Sequence, residues 1–257
     1  SYEIDIFLPS LKIGFEFNGL YWHSESRLGK NYHKDKLSFF QKNDIRIFNI
    51  WEDDWDYKKD IVKSQIRNWL KISSNKIWAR KCQIKEITDS KILKSFLDEN
   101  HIQGYIRSII KIGLFYNNDL VALMTFDNIE GRKKMEANAW NLSRFCNKIN
   151  TNVIGGASKL LSYFIEKYNP VRIISYADMD WSKGNLYEKL GFSLKGELSP
   201  DYQYIINGKR VNKRKFSKNN LSKIKDIDLN LSEAAITKQI NIERIYNCGK
   251  LKYEYLN

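Results

Sequence analysis

Cysteine is scarce in this chain, and long apolar runs are missing. Cys82, Cys146 and Cys248 are far apart, odd in number and without CxxC spacing. They therefore predict neither a disulfide framework nor a cysteine zinc site. The sequence shows no signal peptide and no apolar run of about 18 residues, so we expect a cytoplasmic protein without a membrane partner.

Acidic residues are also few relative to basic ones. The 257 residues include 43 Lys and Arg against 30 Asp and Glu, a net charge of +13, interleaved with 35 aromatic residues (15 Tyr, 13 Phe and 7 Trp). A hydrophobic content of 42% supports real cores. Because phosphate neutralisation requires a basic excess, the composition indicates a nucleic-acid partner, and we predict double-stranded DNA. An AT-rich coding bias would explain the lysines but not the deficit of acidic residues.

The chain length allows one large domain or two ordinary ones. A polar break at 73–76 is the best boundary, and a basic run follows residue 208. We therefore predict domains at 1–72, 76–207 and 208–257. The chain begins without Met inside a predicted strand, so we expect the first domain to be truncated. Apolar spacing predicts helices at 31–43, 60–70, 90–100 and 158–168, and strands at 45–51, 109–115, 120–126, 171–177 and 245–251.

Two carboxylates flank the first predicted turn. Asp5 and Glu16 lie in apolar runs on either side of Pro9-Ser10, which predicts a strand hairpin. Such a hairpin can set both carboxylates at one end of a sheet, where oxygen ligands hold Mg²⁺ or Mn²⁺. A cation there polarises a phosphodiester and lowers the pKa of a bound water. The alternative is two solvated carboxylates on an exposed sheet face.

The same stretch resembles a nuclease family. Asp5, Gly19, Trp22 and His23 are similar to the metal-site strand and the Gly-x-x-Trp-His element of the very-short-patch repair (Vsr) endonucleases and phage homing endonucleases. The resemblance covers roughly residues 3 to 70 and implies the restriction-endonuclease-like PD-(D/E)XK fold with magnesium-dependent DNA cleavage. It implies that Asp5 is the central metal ligand and that His23 moves a proton or contacts phosphate.

Glu16-Phe17-Asn18 resembles the Glu-x-Lys element of that superfamily, with Asn in place of Lys. The resemblance implies Glu16 as second ligand and the Phe17 carbonyl as a further one. Asn18 cannot take a proton, so base chemistry falls to His23, His33 or metal-bound water. For His33 two roles are open: it protonates the leaving oxygen, or it only caps its helix. The candidate catalytic residues are Asp5, Glu16, Asn18, His23, His33 and Asp35.

Residues 153–161 and 185–192 resemble the GNAT acyltransferase fold over about 80–207, and 142–146 and 174–178 resemble its phage DNA-modifying branch. Glycines at a helix N-terminus let backbone amides approach a pyrophosphate. The resemblance implies a degenerate acetyl-CoA or other acyl-CoA site, with Tyr187 as acid near Asp178. Its cofactor-binding residues are Gly155, Gly156, Ala157 and Tyr187. The alternative is a lost cofactor pocket that serves as a DNA-binding platform, with the glycines making phosphate contacts or allowing tight helix packing.

The sequence therefore predicts an α/β protein: an N-terminal restriction-endonuclease-like mixed sheet with helices, a GNAT-like α+β domain and a basic C-terminal extension. The predicted function is a magnesium-dependent DNA endonuclease from a phage or mobile element, acting in a bacterial host. The alternatives are a DNA-base-modifying acyltransferase and a non-catalytic DNA-binding protein. The predicted DNA contacts are Lys36, Arg144, Lys183, Lys209, Arg210, Lys213, Arg214 and Lys215.

Overall fold

The computed structural model describes residues 2–72, 75–129, 138–221, 228 and 230–257, so residues 73 and 74 of the predicted break lie outside it. The strands are β1 Ile6–Leu8, β2 Ile13–Asn18, β3 Arg46–Trp51, β4 Asn75–Trp78, β5 Gln83–Glu86, β6 Ile110–Tyr116, β7 Asp119–Asn128, β8 Ala139–Asn147, β9 Thr151–Ile154, β10 Arg172–Asp178, β11 Ser193–Leu198, β12 Tyr202–Ile206, β13 Lys209–Asn212, β14 Arg244–Tyr246 and β15 Lys250–Leu256. The helices are α1 Tyr32–Gln41, α2 Glu52–Tyr57, α3 Lys59–Trp69, α4 Ser90–Asn100, α5 Gly156–Tyr168, α6 Asn185–Lys189, α7 Lys218–Leu221 and α8 Glu233–Gln239.

The fold is mixed α/β and divides into two compact units. The first contains Ser1–Tyr57, Asp178–Lys183 and Glu197–Lys250; the second contains Lys58–Ala177, Gly184–Gly196 and Leu251–Asn257. These bounds differ from the three consecutive domains predicted above, because the chain leaves each unit and returns to it. None of the helices in the described ranges combines the length and apolar composition needed to cross a membrane.

The first unit contains the predicted hairpin. β1 and β2 pair antiparallel with Phe7 opposite Gly14, and β2 pairs parallel with β3 in the sheet order β1-β2-β3. Every residue of β3 is buried. Helix α1 contributes Leu37 and Phe40, whose spacing of three places both on one face of the helix. A second sheet has the order β13-β12-β14.

The second unit contains a seven-stranded sheet of order β11-β15-β10-β8-β7-β6-β5. The turn between β6 and β7 has Asn117 and Asn118 at positive φ (49° and 67°), the geometry of a two-residue hairpin turn. Helix α5 contributes Leu160, Leu161 and Phe164 to the core. Strands β6 and β7 match the predicted strands at 109–115 and 120–126, and α5 matches the predicted helix at 158–168.

The predicted strand 245–251 is two strands, β14 and β15, with a break between them. Gly249 in the break has φ +93°, and a Cβ there would collide with the Leu198 carbonyl oxygen. A left-handed backbone conformation cannot continue a strand, so the alternation of apolar residues alone was misleading here.

Candidate functional site

The two carboxylates predicted to bind metal are neighbours in the first unit. Asp5 precedes β1, and the pairing of Ile6 with Phe15 brings it beside Glu16 on β2. Asp5 Oδ2 accepts a hydrogen bond from the Phe17 N–H at 2.7 Å. Glu16 is 2% exposed and forms an ion pair with Lys36 of α1, itself 7% exposed. Burial raises the pKa of Glu16, while the hydrogen bond from Lys36 opposes that shift.

Two histidines predicted as catalytic also come together. His23 Nδ1 lies 3.3 Å from His33 Nε2, and the rings stack with centroids 5.0 Å apart. Burial, followed by the charges of His23 and Lys36, lowers the pKa of His33 to about 3. Burial, followed by the charge of Lys36, lowers the pKa of His23 as well. At neutral pH the pair is therefore uncharged.

The predicted Mg²⁺ or Mn²⁺ cofactor is wrong, and the residues predicted to hold it, Asp5, Glu16 and Phe17, are engaged with other groups. Within the described part of the chain, no group of three or more His, Cys, Asp or Glu side chains is arranged to hold a metal ion. The ammonium of Lys36 already neutralises Glu16, so a divalent cation would have to displace a buried ion pair. The structure does bring Asp5, Glu16 and Phe17 together, but Glu16 is in an ion pair with Lys36 and Asp5 accepts from the Phe17 N–H.

Asn18 and Asp35, also predicted as catalytic, have different surroundings. Asn18 is buried, and its Nδ2 donates to Asn49 Oδ1 at 3.0 Å across the β2–β3 pair. Asp35 is exposed in the first turn of α1, where a carboxylate stabilises the helix dipole. Both side chains therefore have a structural role in these surroundings.

Two of the predicted DNA contacts have charges that are already paired in the interior. Lys36 pairs with Glu16, as described above. Arg210 Nε lies 2.7 Å from Asp53 Oδ1, and its Nη2 pairs with Asp54; the side chain is 11% exposed. Both cations therefore form ion pairs within the first unit.

The remaining predicted contacts are more accessible. Lys209 lies 3.7 Å from the centre of the Tyr57 ring, and Lys213 pairs with Asp201. Arg144 of the second unit is half-buried and donates to the carbonyls of Ser143 and Gly104. The others are exposed: Lys183, Arg214 and Lys215. DNA binding stays a prediction.

In the second unit, the parallel strands β8 and β10 separate along their length. They are paired at only three positions, Ala139–Asn141 with Arg172–Ile174, at the start of both strands. Beyond these positions β8 continues to Asn147 and β10 to Asp178 without further pairing in this register. The carboxyl-terminal halves are therefore not paired with each other in this register, and this gap in the strand pairing is hereafter the opening.

Helix α5 begins at the end of the sheet where this opening lies. Leu114 of β6 lies level with the end of β8, because it pairs with Ala122 of β7, and Ala122 pairs with Asn147. Gly156 of α5 lies next to Leu114, since a Cβ on Gly156 would be 3.5 Å from Leu114 Cδ1. Gly155 caps the helix with φ +76°. The first N–H groups of α5 have no acceptor within the helix and form the positive end of its dipole.

The predicted cofactor residues divide by role. A Cβ on Gly156 would lie 3.0 Å from Val153 Cγ1, so this glycine allows tight packing. The side chain of Ala157 belongs to the hydrophobic core. Gly155 is exposed and has a conformation that favours glycine. The backbone N–H groups at this turn can meet a pyrophosphate, whereas the side-chain positions are taken up by packing.

Tyr187 stands beside the opening. Its hydroxyl lies 3.0 Å from Ser175 Oγ on β10, and Ser175 Oγ donates to the Leu142 carbonyl of β8 at 2.9 Å. Ser175 therefore connects the tyrosine to both separating strands. Burial raises the pKa of Tyr187, so the phenol keeps its proton at neutral pH. Such a group can donate a proton to a leaving atom.

Sequence reasoning did not single out Ser175. Its signal was a hydroxyl residue inside the apolar strand at 171–177, a position where a polar group needs a partner. That signal is weak without knowing that Tyr187 returns to the same strand. Lys36 was noted only as a DNA contact, because its pairing with Glu16 depends on how α1 packs.

No family model matches the chain, and a search of curated proteins finds no match. Among solved structures, it is similar to a Bacillus subtilis acetyltransferase in complex with CoA (13% identity, 69% of this chain and 99% of that chain, TM-score 0.39). It is also similar to an Elizabethkingia anophelis GNAT family acetyltransferase with acetyl-CoA bound (12%, 69% and 99%, 0.39) and to the Escherichia coli ribosomal-protein-S18-alanine N-acetyltransferase (10%, 68% and 93%, 0.40).

These neighbours are acetyltransferases, and none of those named is a nuclease. The buried Glu16–Lys36 ion pair, with no group of three or more His, Cys, Asp or Glu side chains arranged to hold a metal in the described residues, corrects the predictions of a magnesium-dependent endonuclease, a hydrolase and a Mg²⁺ cofactor, which are wrong. The restriction-endonuclease-like part of the fold prediction gains no support. The likeness concerns the fold only, and it carries no activity over to this chain.

Proposed function

We propose that the second unit is an acyltransferase that uses acyl-CoA as donor and an amino group of DNA as acceptor. The carrying observation is the opening between β8 and β10, with Tyr187 bonded to Ser175 beside it. The start of α5 lies at the same end of the sheet. This arrangement would put a donor site and a proton donor around one space.

The start of α5 would hold the pyrophosphate of the donor. Gly155 turns the chain through a left-handed conformation into the helix, and the following N–H groups point away from the helix body. The helix dipole adds positive potential there. Acyl-CoA, when bound, supplies a thioester, whose carbonyl carbon is open to attack by an amine.

Tyr187 would hand its proton to the departing sulfur. Its raised pKa keeps it protonated, and Ser175 fixes the position of its hydroxyl. The single proton of Ser175 Oγ is donated to the Tyr187 hydroxyl or to the Leu142 carbonyl, and donation to Tyr187 leaves the phenol proton for the sulfur. The proton lost by the acceptor nitrogen restores the phenol. Ser175 is thus a positioning residue and Tyr187 the acid.

DNA as acceptor is supported by charge. The net charge of +13 favours a polyanion, and basic side chains such as Arg214 and Lys215 are exposed. An amino group on a base is the nucleophile that such a partner offers. Binding to the phosphate backbone would then deliver the base without reading its sequence.

The experiment is acyl transfer from radiolabelled acetyl-CoA to duplex DNA, with the wild type, Tyr187→Phe and the control Tyr163→Phe. We expect Tyr187→Phe to lower kcat about a hundredfold, the usual contribution of a general acid, with the KM for acetyl-CoA unchanged. Tyr163, whose hydroxyl contacts Glu86, should be replaceable. Failure to bind CoA in calorimetry would refute the donor; label that reaches protein amines but not DNA would refute the acceptor.

A further inference from the structure

A small cavity in the first unit is lined by three cations, one carboxylate and three apolar residues. Its volume is about 210 Å³, and it lies where β2 and β3 begin. Lys12, Arg46 and Lys183 line it together with Asp44, and Phe48 contributes an apolar surface. Sites for drug-sized ligands usually measure about 300–1,000 Å³. The cavity therefore suits a small charged group rather than a whole cofactor.

Arg46 is the buried charge of this cavity. It is 2% exposed, and its Nη2 donates to the carbonyls of Met179 at 2.6 Å and Ser182 at 3.1 Å. Its Nε has no hydrogen-bond partner among the described residues. Burial lowers the pKa of Arg46 to about 10, so it remains charged at neutral pH. A buried guanidinium with an unused donor is costly unless an anion compensates it.

The remaining charges leave the cavity positive. Lys12 Nζ pairs with Asp44 Oδ2 at 2.8 Å, which cancels one cation. Lys183 makes no hydrogen bond or ion pair with any residue that the structure describes, and its pKa is lowered by desolvation and then by the charge of Arg46. Among the lining side chains, three cations and one carboxylate leave two net positive charges, while Asp178 and Asp180, outside the lining, also act on Arg46. The two positive charges belong to Arg46 and Lys183.

We propose that this cavity binds a phosphate group, held by Arg46 and Lys183. Phosphate oxygens accept several charge-assisted hydrogen bonds at once, which fits a guanidinium and an ammonium that converge on a small space. The phosphate comes from a nucleic-acid backbone or from a free phosphate or phosphomonoester. The site lies in the first unit and goes beyond the acyl transfer proposed for the second.

The first test is calorimetric titration of inorganic phosphate at low ionic strength. Lys183 is exposed, so Lys183→Gln should fold, and Lys183→Arg keeps the charge. We expect Lys183→Gln to weaken phosphate binding about tenfold or more, as loss of a hydrogen bond from a charged group does, and Lys183→Arg to restore it. Lys30→Gln removes an exposed lysine that does not line the cavity and should leave the affinity unchanged.

The second test identifies the source of the phosphate. Duplex DNA binding is measured by fluorescence anisotropy over a range of salt concentrations. If the cavity holds a backbone phosphate, Lys183→Gln should reduce the slope of log K against log salt by about 0.9. An unchanged slope together with weakened phosphate binding assigns a free phosphate or phosphomonoester. Equal phosphate affinity in the wild type and Lys183→Gln, or no phosphate binding at all, would overturn the site, whatever the acyl-transfer assay shows.

Discussion

Lys36 on α1 forms an ion pair with Glu16 on β2 inside the first unit, where both side chains are more than nine-tenths buried. The second carboxylate oxygen, Glu16 Oε1, has no hydrogen-bond partner among the described residues. The pair explains why an acidic and a basic residue occupy a core beside two neutral histidines. It also decides the chemistry of the region, because a carboxylate that is already neutralised is a poor ligand for a cation.

Breaking this pair from one side should be costly. Lys36→Met leaves a buried carboxylate without its partner, and we expect a loss of about 3–5 kcal/mol in the free energy of unfolding at pH 7. The double variant Glu16→Gln/Lys36→Met should lose less than the sum of the two single variants. Urea unfolding of all four proteins completes the cycle. Additive losses would show that the two side chains do not interact.

Acidification should destabilise the protein through His33. Its folded pKa is about 3 against 6.5 in the unfolded chain, so between these values the unfolded chain binds a proton that the folded chain does not. Stability is therefore complete above pH 6.5 and falls as the pH falls, by about 1.4 kcal/mol per pH unit. His33→Asn should remove the part of the slope due to His33 between pH 6 and pH 5 in denaturant unfolding.

His101 in the second unit is a second histidine with a lowered pKa and serves as the control for that measurement. Burial lowers the pKa of His101 to about 3, so this histidine also destabilises the fold as the pH falls. Its contribution remains in His33→Asn. His33→Asn should therefore retain part of the acid sensitivity, and His101→Asn should remove a separate part. A wild-type slope in the His33 variant would contradict the burial of an uncharged His33.

A charge at the start of α5 should separate stability from donor binding. Ser158 is exposed at the third residue of the helix, where a carboxylate interacts favourably with the dipole. We expect Ser158→Asp to raise the free energy of unfolding by about 0.3–1 kcal/mol. The same charge should repel a pyrophosphate and weaken CoA binding about tenfold in calorimetry. Ser158→Asn is the neutral control. Unchanged CoA affinity would place the donor elsewhere.

The three cysteines should be inert in the native protein. Cys82, Cys146 and Cys248 are free and buried. Burial raises the pKa of each thiol, that of Cys146 to about 12. Because the thiolate is the reactive form, a chromogenic disulfide reagent at pH 8 should label none of them until denaturant is added. Rapid labelling of one thiol in native buffer would contradict this.

Local patterns were sufficient for much of the secondary structure. Leu93, Phe96 and Leu97 lie on the buried face of α4, whose bounds match the predicted helix at 90–100. The Asn-Asn turn after β6 was readable because asparagine tolerates positive φ. The predicted strand 245–251 failed at Gly249, since the close approach of the Leu198 carbonyl comes from a distant part of the chain.

The sequence by itself determined the basic charge, the periodic helices and strands, and the nearness of Asp5 to Glu16, because these depend on composition and short-range geometry. Only the tertiary structure decided that Lys36 neutralises Glu16, that β8 and β10 separate after three pairs, and that Ser175 meets Tyr187. The physical reason is that each of these contacts joins segments distant in the chain. Burial and pairing of a charge depend on which segments meet, and this determines whether a carboxylate holds a cation or an ammonium.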